Sequence, residues 1–194
     1  NGSIYAYDLN PQLINMYTNI QSNHNELYDI IQILIKEYNE CTEPIENSKL
    51  EKKPRKIWNN LKDEDKTKSK EHYYYWIRQK YNKMNINEKN SVNGSSIFIF
   101  LNKTCFRGLF RMGPNGFNVP YGNYKNPEIV NKEHLELISS LIKDVIFESK
   151  DFNDSLDNVK TDDFVYLDPP YAPETKNSFV KYNNKNSFNK EQNN

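Results

Sequence analysis

Four residues with a preference for extended structure, Phe164-Val165-Tyr166-Leu167, run directly into Asp168-Pro169-Pro170-Tyr171. A short apolar run closed by a turn signal reads as a buried parallel strand. Proline has no N–H to give to a ladder, so that strand must end before Pro169. Open α/β sheets bind ligands at the carboxyl ends of their strands. The pattern therefore predicts an acid, a rigid turn and an aromatic ring carried together to a ligand-binding edge. An arbitrary Asp-Pro pair does no more than cap a turn; the full tetrapeptide after an apolar run points to a site.

The start of the chain carries the same logic. Ser3 to Tyr7 is β-prone and ends at Asp8, after which Asn10 is a good N-cap and Pro11 suits a first helical position. Leu13, Ile14, Tyr17 and Ile20 repeat at helical spacing, predicting a helix to about Gln21. Strand, acid, then helix is half of a βαβ unit, and an acid after such a strand bonds ribose hydroxyls in nucleotide-binding sheets. Asp8 fits that role; the bland alternative is a helix cap. A second helix is predicted over His24–Tyr38, with Leu27, Ile30, Ile31, Leu34 and Ile35 on its apolar face.

Residues 46 to 70 are charged and poor in apolar groups, which reads as a solvated, partly helical excursion. Lys52, Lys53, Arg55 and Lys56 there are a solvated face before they are phosphate ligands. His72 to Met84 is an aromatic helix whose rings pack a core, although aromatics interleaved with bases also suit nucleic-acid stacking. Ser95 to Leu101 is read as a buried helix. From Asn102 to Gly122 turn formers are dense enough to predict a long irregular loop. Arg111 in it can supply bidentate donors to a base edge, and Phe106 an apolar wedge; a packed Ω-loop is the structural alternative. A helix from about Asn131, a strand at Val145–Phe147, and a turn at Asp151-Phe152 into a short helix complete the chain before the Asp168 run.

Formal net charge is +0 over 194 residues, which argues against a uniformly basic nucleic-acid binder. Between Glu88 and Glu128, however, there is no carboxylate, while Lys89, Lys103, Arg107, Arg111 and Lys125 fall inside that window. Such a local acid-free surface is what a phosphate backbone needs. The two cysteines, Cys41 and Cys105, have neither disulfide-framework nor zinc-site spacing, and His24, His72 and His134 stand apart from them. A reduced, intracellular setting, no metal and no membrane span are expected.

Asn102 to Arg111, Phe117-Asn118-Val119-Pro120-Tyr121-Gly122, Asp168 to Tyr171 and Ser178 to Tyr182 together resemble, in order, the Dam-like DNA adenine-N6 methyltransferases. Tyr7 to Ile14 is similar to the family's acidic segment after its second strand. The resemblance implies an α/β fold: a Rossmann-like S-adenosylmethionine-dependent methyltransferase sheet, here incomplete, with a mostly helical DNA-recognition insertion. The catalytic domain would occupy 1–45 and 128–194, and the insertion with its recognition loop 46–127. The chain begins after the family's glycine-rich cofactor loop and lacks its C-terminal strands, so it is read as a fragment. By resemblance, Asp8 binds the ribose of S-adenosylmethionine, and Asp151 and Phe152 contact its adenine. Asp168, Pro169, Pro170 and Tyr171 hold a flipped adenine. Phe106, Leu109, Arg111 and Pro120 read double-stranded DNA, with Lys125 adding a base to the same surface. Arg107 stands where the family commonly has Asn. A monomer acting in the cytoplasm or on the nucleoid, of bacterial, phage or large-virus origin, is expected. The competing classes are an amino-methyltransferase acting on RNA or a protein amide, and a catalytically inactive DNA-binding fragment.

Overall fold

Asn10 starts the longest element of the chain. In the computed structural model, which describes residues 2–42, 58, 60–157 and 159–168, its side-chain oxygen accepts from the backbone N–H groups of Gln12 (3.1 Å) and Leu13 (3.4 Å). Pro11 at the first helical position forfeits an N–H that would have had no partner. The strand before it, β1 (Ile4–Asp8), and the helix after it, α1 (Pro11–Asn39), match the sequence expectation. The two predicted helices are one element with a break between them: Asn23 has φ −139° and ψ 30°, outside the helical region.

Beyond the break, Leu27, Ile31, Leu34 and Tyr38 form the buried stripe of α1. They pack on α4 (Val92–Thr104) and α2 (Lys70–Lys83). The helix predicted at 95–101 lies inside α4, and that at 72–84 matches α2 except for Met84, which is its extended C-cap. Small residues let α4 approach α1 closely: Asn19 Nδ2 donates to Ser95 Oγ (2.8 Å) and Ser96 Oγ donates to the Leu27 carbonyl (3.3 Å). The aromatic residues of α2 are core, as expected; Tyr73, Tyr74, Tyr75, Trp76 and Tyr81 are all buried. A short helix, α3 (Ile86–Asn90), was not anticipated; an Asn85–Glu88 capping box builds it.

The loop after α4 is more regular than its composition predicts. Asn102 to Thr104 are still helical, with Thr104 Oγ1 donating to the Phe100 carbonyl (2.6 Å). Phe106–Gly108 make a tight 3₁₀ turn, and β2 (Met112–Gly113) pairs antiparallel with β3 (Gly116–Phe117). Gly116, at φ +95°, turns that hairpin in a region closed to most side chains.

The helix α5 (Lys132–Leu141), capped by Asn131, precedes β4 (Val145–Ser149), which pairs parallel with β1 from Ile4↔Val145 to Asp8↔Ser149. The short helix α6 (Phe152–Leu156) follows, capped by Asp151. Tyr17 of α1 stacks on Phe147 of β4 at 5.5 Å between ring centroids. The chain is thus a mixed α/β protein with a parallel two-stranded core edge.

The strand expected at Phe164–Leu167 is not formed. The segment has no ladder partner among the described residues, and Phe164 and Tyr166 are 92% and 79% exposed. Strand preference is realised only against a neighbour that takes the backbone groups and covers the side chains, and β1 and β4 pair with each other instead. Of the 46–70 excursion, most positions, including Lys52, Lys53, Arg55 and Lys56, lie outside the described residues, as do Pro169, Pro170, Tyr171 and the Ser178–Tyr182 segment.

Candidate active edge and recognition loop

Two groups of residues singled out in the sequence come together, at separate places. The first is the carboxyl edge of the β1–β4 pair. Because the strands are parallel and in register, Asp8 ends β1 beside Ser149, two residues before Asp151. The Asp8 carboxylate accepts from Asn10 N–H through Oδ1 (2.6 Å), and its other oxygen takes no hydrogen bond from the described residues. Asp151 accepts from Asn153 N–H (3.1 Å), opening α6, and α6 packs against β1. Phe152, half-buried, begins that helix. Each acid therefore shapes the turn that leaves its own strand. One carboxylate oxygen of Asp8 stays available at an edge where ligand hydroxyls are normally met.

The second group is the loop between α4 and α5. Its neck is closed by an antiparallel bridge between Cys105 and Tyr121, with Phe106 N–H donating to the Pro120 carbonyl (2.8 Å) and Gly122 N–H to the Thr104 carbonyl (2.9 Å). A Cβ on Gly122 would stand 2.6 Å from the Cys105 carbonyl, so the neck admits no side chain there. Burial pushes the Cys105 thiol up to about 11, leaving it a packed thiol that donates to the Asn102 carbonyl.

Beyond the neck, Phe106 (43% exposed) and Leu109 (49%) face solvent, as do Arg107, Arg111, Pro120 and Lys125. Arg107 adopts φ 57°, a left-handed conformation uncommon for a side chain of its size. Its N–H donates to the Tyr124 hydroxyl (2.9 Å) and its guanidinium lies over the Phe106 ring (5.1 Å). Arg111 is held from behind: Nε donates to Asn118 Oδ1 (2.6 Å) and Nη2 to the Asn118 carbonyl (3.1 Å). Phe110, by contrast, turns inward between Phe98 and Phe117. The loop presents two apolar side chains and a fixed guanidinium, and carries no carboxylate of its own.

Asp168 joins neither group. It is exposed and makes no hydrogen bond to another described residue. Among the described residues no cluster of three His, Cys, Asp or Glu side chains could hold a metal, and no helix is long and apolar enough to cross a membrane.

Sequence reasoning missed the residues that anchor the loop. On α2, Asn82 exchanges two hydrogen bonds with the Phe117 backbone: Phe117 N–H donates to Oδ1 (2.8 Å) and Nδ2 donates to the carbonyl (3.0 Å). The Val119 carbonyl accepts from both the Tyr74 hydroxyl (2.8 Å) and Arg78 Nη1 (3.1 Å). Tyr38 and Tyr121 share a hydroxyl–hydroxyl bond (2.7 Å). The available signal was the spacing of Tyr74, Arg78 and Asn82 at i, i+4 and i+8, which puts three polar ends on one helix face.

Comparison with known proteins gives the family. The model of the D12 class N6 adenine-specific DNA methyltransferases matches residues 1–194, and the chain belongs to that family. It is 45% identical over 129 residues to the Type II methyltransferase M.MjaIII of Methanocaldococcus jannaschii, covering 63% of this chain and 44% of that protein. It is 32% identical over 179 residues to M1.LlaDCHI of Lactococcus lactis subsp. cremoris, covering 90% and 52%. It is 29% identical over 170 residues to the Retron Ec67 DNA adenine methylase of Escherichia coli, covering 87% and 48%. The chain spans about half the length of the relatives it matches.

Proposed function

We propose that the protein methylates N6 of adenine at a short site in duplex DNA, using S-adenosylmethionine. The observation that carries this reading is the family match along the whole chain. The polar residues at the β1–β4 edge fit the cofactor: a half-free carboxylate on Asp8 suits a pair of ribose hydroxyls, and the Asp151–Phe152 turn offers an aromatic ring beside a polar group. A Rossmann-like sheet, extended beyond these two strands in the full-length protein, is the fold this reading requires.

A base inside a duplex cannot present its amine to a methyl donor, so the target adenine is extruded. The Phe106–Arg111 loop suits that step: Phe106 and Leu109 are exposed wedges, Arg111 a pre-aimed donor fork for a base edge, and Lys125 a phosphate contact. Pro120 belongs to this surface through its carbonyl, which accepts from Phe106 N–H. When bound, S-adenosylmethionine supplies an electrophilic methyl group. By the resemblance, the carboxylate of Asp168 and the carbonyl of Pro170 would accept the two N6 hydrogens and leave the nitrogen lone pair free for transfer. Asp168 would stabilise the positive charge that develops on N6 as it takes up the methyl group, until one proton is lost to solvent. Pro169 would fix the turn, and Tyr171 would stack on the extruded ring and hold it near attack distance. These last roles come from the resemblance. An intracellular setting, on DNA and as a monomer, follows from the same reading.

The test is transfer of labelled methyl from S-adenosylmethionine to duplex DNA by the full-length protein, with the product base identified. Adenine N6 should carry the label, and Asp168→Ala should lower transfer by roughly a hundredfold or more while DNA binding persists. Label on RNA or on a protein amide, or full activity in Asp168→Ala, would overturn the assignment.

A further inference from the structure

Resting on that function, we infer that α2 sets DNA site choice without touching DNA, through a row of positioning residues, Tyr74, Arg78 and Asn82. These three project from one face of a buried helix, and their polar ends reach the backbone of residues 117 to 119 in the recognition loop. Asn82 acts as a substitute ladder partner for β3, bonding both backbone groups of Phe117. The next residue, Asn118, is the one whose side chain and carbonyl hold the Arg111 guanidinium. Tyr74 and Arg78 fix Val119 on the far side of Asn118, and Pro120 then takes the Phe106 N–H. The anchored strand therefore carries both the base-reading fork and the wedge. Its conformation is imposed by α2, since the β2–β3 ladder is only two residues long.

An Arg that must be ordered on binding loses rotamer freedom that a pre-held Arg has already lost. Loosening the anchor should therefore reduce the difference between right and wrong sites more than it reduces phosphate-driven binding, which depends on charge alone. α2 itself stays in place because its other face is core: Tyr73, Trp76 and Ile77 are buried against the rest of the helical layer.

The experiment is kcat/KM for methyl transfer by the full-length protein on its preferred duplex and on duplexes with one base pair changed. Asn82→Ala should lower the preferred-to-changed ratio by about tenfold, within the range of one lost bidentate base contact. Tyr74→Phe, which removes one hydroxyl from a residue that keeps its packing, should lower it in the same direction by less. Tyr81→Phe, on the same helix but with a hydroxyl that makes no hydrogen bond to the loop, should leave the ratio unchanged. In an Arg111→Ala background, Asn82→Ala should add little further loss of discrimination, because both act through the same guanidinium. If Asn82→Ala does not fold, Tyr74→Phe carries the test alone. Wild-type discrimination in Tyr74→Phe and in any folded Asn82→Ala, or additive losses with Arg111→Ala, would overturn the inference. Failure of the unsubstituted protein to methylate adenine on any duplex would instead overturn the function on which it rests.

Discussion

Tyr81 gives the sharpest measurable consequence of the packing. Its ring is buried between α2 and α4, tilted against Phe98, and its hydroxyl has no hydrogen-bond partner among the described residues. A buried donor left unpaired costs about 1–3 kcal/mol. Tyr81→Phe removes the oxygen and keeps the ring. The void left is on the order of 10 Å³, which at roughly 24 cal/mol per Å³ returns only about 0.2 kcal/mol of that gain. The variant should be more stable than wild type by about 1–3 kcal/mol, shifting Tm up by about 2–12 °C for a chain of this size. The gain should also grow with alkali. Burial raises the Tyr81 pKa above its ordinary value, so the folded state keeps the proton when the unfolded state has lost it. The stability this supplies is complete below the unfolded value of about 10 and is lost as pH rises towards the folded one. Phenylalanine has no such loss, so at pH 11 the variant should gain about a further 1.4 kcal/mol over wild type. Urea unfolding at pH 7.5 and pH 11, read as the midpoint at constant slope, measures both arms. A variant no more stable at pH 7.5 would show that the hydroxyl is paired, and a pH-independent difference would show that it is not buried when folded.

The site itself supports two further tests. Asp8→Ala should weaken S-adenosylmethionine binding about 10–100-fold, the cost of losing hydrogen bonds to a charged acceptor, as read by calorimetric titration; unchanged affinity would remove Asp8 from the cofactor site. Arg111→Ala should cost about 1–3 kcal/mol of discrimination at one base position while non-specific binding falls only as one lost charge dictates, and competition between duplexes differing at single positions would reveal a uniform loss if Arg111 were only a phosphate contact.

What could be read from the sequence was whatever its neighbours in sequence decide. Asn10 and Pro11 start α1, Asn131 starts α5 and Asp151 starts α6 because a capping side chain acts within three residues. The apolar spacing of α1, α2 and α4 is likewise local. The Phe164–Leu167 run carries as strong a strand signal as Ile4–Asp8, yet among the described residues only the latter has a partner to pair with. The end of α4 was misread because Asn102 and Thr104 are turn formers by composition, while Thr104 in fact satisfies its hydroxyl inside the helix. The anchor row on α2 bonds residues 35 to 45 positions away, a distance at which periodicity says which face a residue occupies and nothing about what that face will meet.

The proposed cofactor edge and the recognition loop are joined through α1, and both sides of its break at Asn23 reach α4: Asn19 donates to Ser95 before the break, and the Leu27 carbonyl accepts from Ser96 after it. Beside the break, Gln21 Nε2 donates to three carbonyls, those of Ile142 (2.7 Å), Lys143 (3.0 Å) and Val145 (2.9 Å). An amide nitrogen has two hydrogens, so at least one of these bonds is shared. The Gln21 carbonyl in turn accepts from Ser139 of α5 (3.3 Å). One residue thus ties the end of α5 and the start of β4 to the helix that follows β1, and so sets where β4 delivers Asp151. Gln21→Met keeps the length and packing of the side chain and removes the donors. It should cost about 1–2 kcal/mol, since the carbonyls are partly exposed and water replaces some of what is lost. Amide exchange at Val145–Ser149 should quicken and S-adenosylmethionine binding should weaken, while the preference among duplexes, governed by α2, stays as it was. A variant with wild-type exchange at β4 but altered site choice would show that the coupling runs the other way, from the helix break to the loop.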